Sequence, residues 1–256
     1  MSKRRRFVAI SILLSLGFVA VQFLADQNRF WAIGVLGIAT ILLFAWSLFD
    51  GLGRNMTLLT LILPTIFTLG VGTFWFLLPA NIYARIPIVI FYGIGVYILG
   101  LTMNIFTVST IRTIALLRAA RGVGFVLTLI TFFLVFDAIL SLRVAIYLII
   151  PMIAVVSFPI FLQGFWSVVL EKHFVKEIFS LALVSTLIMV ETGIVLYFWP
   201  VSVVVGSLFL TVTSYVLLGL GQSKLEGRLF SSTVREYLIV GVLVFMAMFF
   251  ATHWGG

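Results

Sequence analysis

Nine long apolar runs, separated by short polar joints, fill almost the whole chain, at 7–24, 31–49, 57–78, 86–106, 123–140, 144–165, 178–199, 201–220 and 237–253. A helix rising 1.5 Å per residue needs about 20 such residues to cross a hydrocarbon core about 30 Å thick, and each run is close to that length. The apolar residues are continuous. A transmembrane β-barrel would alternate apolar with polar residues, so the expected fold is an all-α polytopic bundle of nine spans. With 63% hydrophobic and 9% charged residues, and a mean hydropathy of +1.29, water cannot solvate this surface. The joints are too short to hold a soluble domain, so 1–256 reads as one integral membrane domain.

The charges fix a direction. With the amino terminus placed in the cytoplasm, the inner segments carry Lys3, Arg4, Arg5, Arg6, Arg54, Arg112, Arg118, Arg121, Lys172, Lys176, Lys224, Arg228 and Arg235, and the outer ones only Arg29, Arg85 and Arg143. That asymmetry satisfies the positive-inside rule and predicts a cytoplasmic-membrane protein with its carboxyl terminus, Thr252 to Gly256, outside. Trp31, Trp75, Trp199 and Trp254 are expected at the outer interface, and Trp46 and Trp166 at the inner one. The first run reads as a retained anchor, because it is long and Phe23-Leu24-Ala25 is a poor cleavage site. The net charge of +8 is spread over loops rather than gathered on one face, so nucleic acid is not an expected partner.

Four short matches run in register through the two halves. Phe44-Ala45-Trp46-Ser47 matches Gly164-Phe165-Trp166-Ser167, and Phe74-Trp75 with Pro79 matches Phe198-Trp199-Pro200. Val96 to Leu101 matches Tyr215 to Leu220, and Ser109-Thr110-Ile111-Arg112 matches Ser232-Thr233-Val234-Arg235. They suggest parallel halves, 1–112 and 118–235, followed by a last helix, 237–253, with the halves related by an axis along the membrane normal.

Helices in lipid associate by close packing and by polar contacts. The expected contact faces hold Ser11 and Ser15, Gly70 and Gly72, Gly93, Gly95 and Gly100, and Ala247 and Ala251. Asn104 and Gln163 are expected to make interhelical hydrogen bonds. Pro64, Pro151 and Pro159 lie inside runs and are expected to kink them, the sixth most of all.

Among eight acids, Glu191 stands out, because it lies at hydrocarbon depth in the seventh run. A charged side chain at a helix centre costs about 2.5 kcal/mol or more on insertion scales, so Glu191 must face protein, water or a partner. Asp137 lies at a comparable depth, and with Glu191, Arg143 and Arg85 it forms a candidate outer polar site. Arg112, Arg118 and Arg121 lie in a joint, Thr110 to Gly122, that reads as an amphipathic segment binding anionic lipid head groups. His173 and His253 have no second ligand at metal spacing, no nucleotide-binding motif occurs, and there is no cysteine. No metal, cofactor or catalytic residue is therefore assigned.

The Lys-Arg-Arg-Arg start, the Phe-Trp-Pro and Ser-Thr-Val-Arg elements, and the Phe- and Ile-rich spans together resemble uncharacterised polytopic membrane proteins of candidate-phylum bacteria, a family whose domain has no assigned function. The resemblance implies a bacterial cytoplasmic membrane and no activity. Three functions remain open. One is a permease or flippase-like carrier with Glu191 on a cavity wall. The second is a non-catalytic subunit or scaffold of an envelope complex. The third is a lipid-linked sugar enzyme using Asp26 or Glu191, for which acid–base groups are scarce. Expected partners are membrane lipids and a membrane protein or a second copy of the chain.

Overall fold

A backbone in hydrocarbon has no water to bond, so each apolar run closes its own hydrogen bonds as a helix. The computed structural model describes residues 3–21, 23–24, 26–53, 56–77, 82–111 and 115–252. Arg54, Pro79, Arg112, His253 and Trp254 lie outside them, as does the side chain of Asp26. The described residues form nine α-helices and no strand: α1 (Lys3–Val21), α2 (Asp26–Leu48), α3 (Ile62–Phe74), α4 (Ile82–Ser109), α5 (Leu117–Ser141), α6 (Ile146–Val169), α7 (Lys176–Phe198), α8 (Val203–Leu225) and α9 (Ser231–Ala251).

Eight helical segments, not nine, are long and apolar enough to cross a membrane among the described residues. The exception is α1, whose first turn is Lys3, Arg4, Arg5 and Arg6. The third span is composite: a 3-10 segment, Met56–Leu61, leads into α3. Pro64 is the third residue of α3, just where the 3-10 segment gives way to α-helix. Pro151 and Pro159 do lie inside α6, and so does Pro87 inside α4.

Two units divide the chain, and the boundary falls within α5. In the first unit (Met1–Val135 with Leu170–Phe174), α1 packs on α4 and α2, α2 on α3, and α3 on α4. Ser11 Oγ donates to Gly93 O at 2.5 Å across the α1–α4 seam, and the ring of Phe7 covers Gly100. Three buried hydroxyls join α2, α3 and α4. Thr40 Oγ1 lies 3.2 Å from Thr68 Oγ1, which lies 3.1 Å from Tyr92 Oη. Thr68→Val removes both links. It is expected to lower stability by about 0.6 to 1.7 kcal/mol, the range of interhelical hydrogen bonds in lipid. Reversible unfolding in micelles reads this, and Thr68→Ser should be near the parent.

In the second unit (Phe136–Val169 with Val175–Gly256), α6, α7 and α8 pack on one another and α9 packs on α8. Tyr237 of α9 lies against Gly219 of α8. Ala247 and Ala251, expected at a contact, are exposed, and Met248 is the buried residue of α9. Two tryptophans also differ from expectation. Trp31 and Trp46 are exposed, as at an interface, but Trp75 and Trp166 are core residues, 6% and 0% exposed.

Many hydroxyls are satisfied within their own helix. Thr65, Thr68, Thr73, Thr128, Thr131, Thr186, Thr192, Thr211 and Thr213 each donate to the carbonyl four residues earlier.

Candidate functional site

The last turn of α5 carries Asp137, only 5% exposed. Ser207, on the second turn of α8 and fully buried, donates to Asp137 Oδ1 at 3.1 Å. A carboxyl out of water needs such a partner. The serine was invisible from the sequence, because it is 70 residues away and the α8 run offers several small hydroxyls.

One helical turn beyond Asp137 is a cavity of about 330 Å³, at the α5–α6 and α7–α8 joints. Its lining includes Leu140, Arg143, Tyr197, Trp199, Ser202 and Gly206. Arg143 ends α5 in the left-handed region (φ 47), where its N–H closes onto Leu140 O at 3.3 Å. Its exposed side chain is at the cavity mouth. Ser202 caps α8, accepting from Val205 N at 3.4 Å, so the positive end of the α8 dipole faces the same space. Trp199 is held in the wall by its Nε1, which donates to Thr252 Oγ1 at 2.9 Å. Arg143 is the charged residue of this lining, which holds no carboxylate and so no pair for acid–base work.

Arg85 and Glu191 are not in the cavity's lining. Arg85 belongs to the first unit, where its guanidinium sits 5.1 Å from the Trp75 ring centroid. Glu191 is on α7 about 10 Å from the helix's carboxyl end at Phe198. It is exposed and lines neither this cavity nor the grooves on α1–α4 and α9. Four apolar neighbours on the same stripe, Leu183, Leu187, Val195 and Phe198, are exposed too.

At the amino end of α5, Arg118 and Arg121 are not in a joint as expected. α5 begins at Leu117, six residues earlier than the apolar run, because straight-chain arginines extend a helix readily. Arg118 is exposed and Arg121 half-buried in the first turns of α5. Gln163 is buried, and the interhelical hydrogen bond here is made by its neighbour, Gly164 O accepting from Gln222 Nε2 of α8 at 2.9 Å. Gln222 was not singled out from the sequence, where it reads as the polar end of a span.

No curated protein and no solved structure matches the chain. A model of the family of proteins of unknown function designated DUF5656 matches residues 47–251, from the end of α2 to the end of α9. This multi-pass integral membrane protein therefore belongs to the DUF5656 family.

Proposed function

We propose that the chain is a non-catalytic membrane subunit, docked through the outer half of α7 onto a transmembrane helix of another polypeptide. The observation that carries this reading is the exposed Glu191 in an otherwise apolar stripe at hydrocarbon depth. Ionisable residues in that zone face protein or water rather than lipid. The partner helix offers a cation or a hydrogen-bond donor opposite Glu191, and small or apolar residues opposite Leu187 and Val195. The carrier reading requires Glu191 on a cavity wall, and Glu191 lines none of the cavities described above. The enzyme reading requires an acid–base pair, and the outer cavity lining holds no carboxylate. The membrane is the cytoplasmic one, with Lys3 to Arg6 inside, on the strength of the basic inner joints. The ion pair between Lys3 and Asp50 (3.5 Å) supports the placing of the start of α1 and the end of α2 on one side.

The absence of cysteine makes the test direct. Val195→Cys and Leu187→Cys are each labelled with a thiol-reactive benzophenone, which on illumination in native membranes inserts into C–H bonds of whatever side chain lies opposite. Val155→Cys, on an exposed face of α6, serves as control. We expect a discrete adduct from the α7 positions and none from α6. Adding Glu191→Leu should lower its yield about tenfold, the fold-change of an uncompensated polar contact in lipid. An adduct of twice the chain's mass would make the partner a second copy. Equal yields at α6 and α7, or an adduct indifferent to Glu191, would overturn the reading.

A further inference from the structure

A groove of about 470 Å³ follows the outer side of the α1–α4 seam, and among its lining residues are Val8, Ile12, Ser15, Ile90, Gly93 and Tyr97. It exists because Ser11, Ser15 and Gly93 bring the two backbones together, while the larger residues on either side stand clear. Along α1 it runs from Val8 to Val19, about 16 Å of helix. That is close to half of a hydrocarbon core about 30 Å thick, the depth of a single leaflet. The lining is almost wholly apolar, as an acyl chain requires.

The Val8 end has the opposite chemistry. Arg4 Nε donates to Tyr97 Oη at 3.1 Å, which holds the guanidinium at the groove mouth. Lys3 is paired with Asp50, and Arg6 lies 5.4 Å from the Trp46 ring centroid. Arg4 and Arg5 are both exposed. We propose that this groove is a binding site for one anionic phospholipid, with its phosphate on Arg4 and Arg5 beside Tyr97 and one acyl chain laid between α1 and α4. Neither feature suffices alone. A cationic turn attracts any anionic surface, and an apolar groove accepts any chain. Their junction at interfacial depth selects a molecule that has both parts. The site does not depend on the partner proposed for α7.

The full chain is reconstituted into vesicles of phosphatidylcholine and phosphatidylglycerol. These carry a trace of either lipid with a photoreactive diazirine in its acyl chain, and labelled peptides are mapped by mass spectrometry. Each arginine on the phosphate is worth about fivefold in local enrichment. The phosphatidylglycerol probe should therefore label Val8–Val19 and Val89–Tyr97 well above the phosphatidylcholine probe. Arg4→Gln with Arg5→Gln should bring the two probes to near parity. Ile12→Trp keeps every charge and fills the groove from an exposed position, and it should reduce labelling of Val89–Tyr97 several-fold. Equal labelling by both probes in the parent, a preference that survives loss of both arginines, or labelling indifferent to Ile12→Trp would overturn the proposal.

Discussion

Gly221→Val is expected to lower the stability of the second unit by about 3 kcal/mol. Gly221 is buried on α8, and a Cβ there would fall on the ring of Phe165 of α6. Phe165 is fully buried and lies 5.8 Å from the Phe161 ring, nearly parallel to it, so it has no free volume to swing into. Overpacking of this kind costs about 1–3 kcal/mol. Here the helices must also separate where Gln222 donates to Gly164 O and where Leu218 fills the space beside Gly164, with the loss of up to about 1.7 kcal/mol more. For a chain of this size 1 kcal/mol is worth about 2–4 °C, so Tm should drop by roughly 6–12 °C. With the other five tryptophans replaced by phenylalanine in parent and variant alike, Trp166 fluorescence reports the transition from beside the altered seam. Phe165→Leu placed in the Gly221→Val background should restore part of the loss, although by itself it removes packing. Without that coupling, α6 and α8 do not meet along this line.

Phe67→Ala is the second large effect. Phe67 is fully buried in the first unit, with its ring 6.1 Å from that of Tyr92, nearly parallel, and its edge against Gly95 of α4. In a soluble core, truncating a buried phenylalanine costs about 3–5 kcal/mol, part of which is transfer from water. A separated helix in lipid keeps its ring in hydrocarbon, so that part is absent and the cavity and the lost dispersion contacts remain. The expected cost is therefore about 2–4 kcal/mol. Gly95→Ala discriminates. In the parent its methyl would lie 2.5 Å from Phe67 Cζ and destabilise, but in Phe67→Ala it occupies vacated space and should recover stability. Urea or dodecyl-sulfate unfolding of the parent and the three variants gives the coupling; simple additivity would contradict the packing described here.

Where the helices lie was legible from the sequence, because the signal is hydrocarbon length. The seventh run was expected at 178–199 and α7 spans Lys176–Phe198. What each helix turns towards its neighbours was less legible. In a soluble protein the buried face is apolar and the exposed face polar, but in lipid both faces are apolar and the period carries little information. Trp46 and Trp166 occupy matched positions in the sequence, and one is exposed while the other is fully buried. Glu191 lies within α7, as the seventh run implied, but whether it faced the bundle could not be read. The matched glycines Gly100 and Gly219 do share a setting, each against an aromatic ring of the neighbouring helix, Phe7 of α1 and Tyr237 of α9. We retain the duplicated halves as a proposal. Asp137 was legible as a candidate and its partner Ser207 was not, since nothing local marks a contact between distant spans.

The threonines that bond back onto their own helices bear on how the chain enters the bilayer. A hydroxyl satisfied four residues upstream needs no second helix, so the segment carrying it can leave the translocon alone without stranding a polar group in oil. Thr128 and Thr131 of α5 and Thr211 and Thr213 of α8 are of this kind. Asp137 is different: Ser207, which donates to it, belongs to another span, so α5 carries an unmet demand through biogenesis until α8 arrives. Insertion can thus proceed one segment at a time, while that carboxyl defers completion of the second unit to a late docking step.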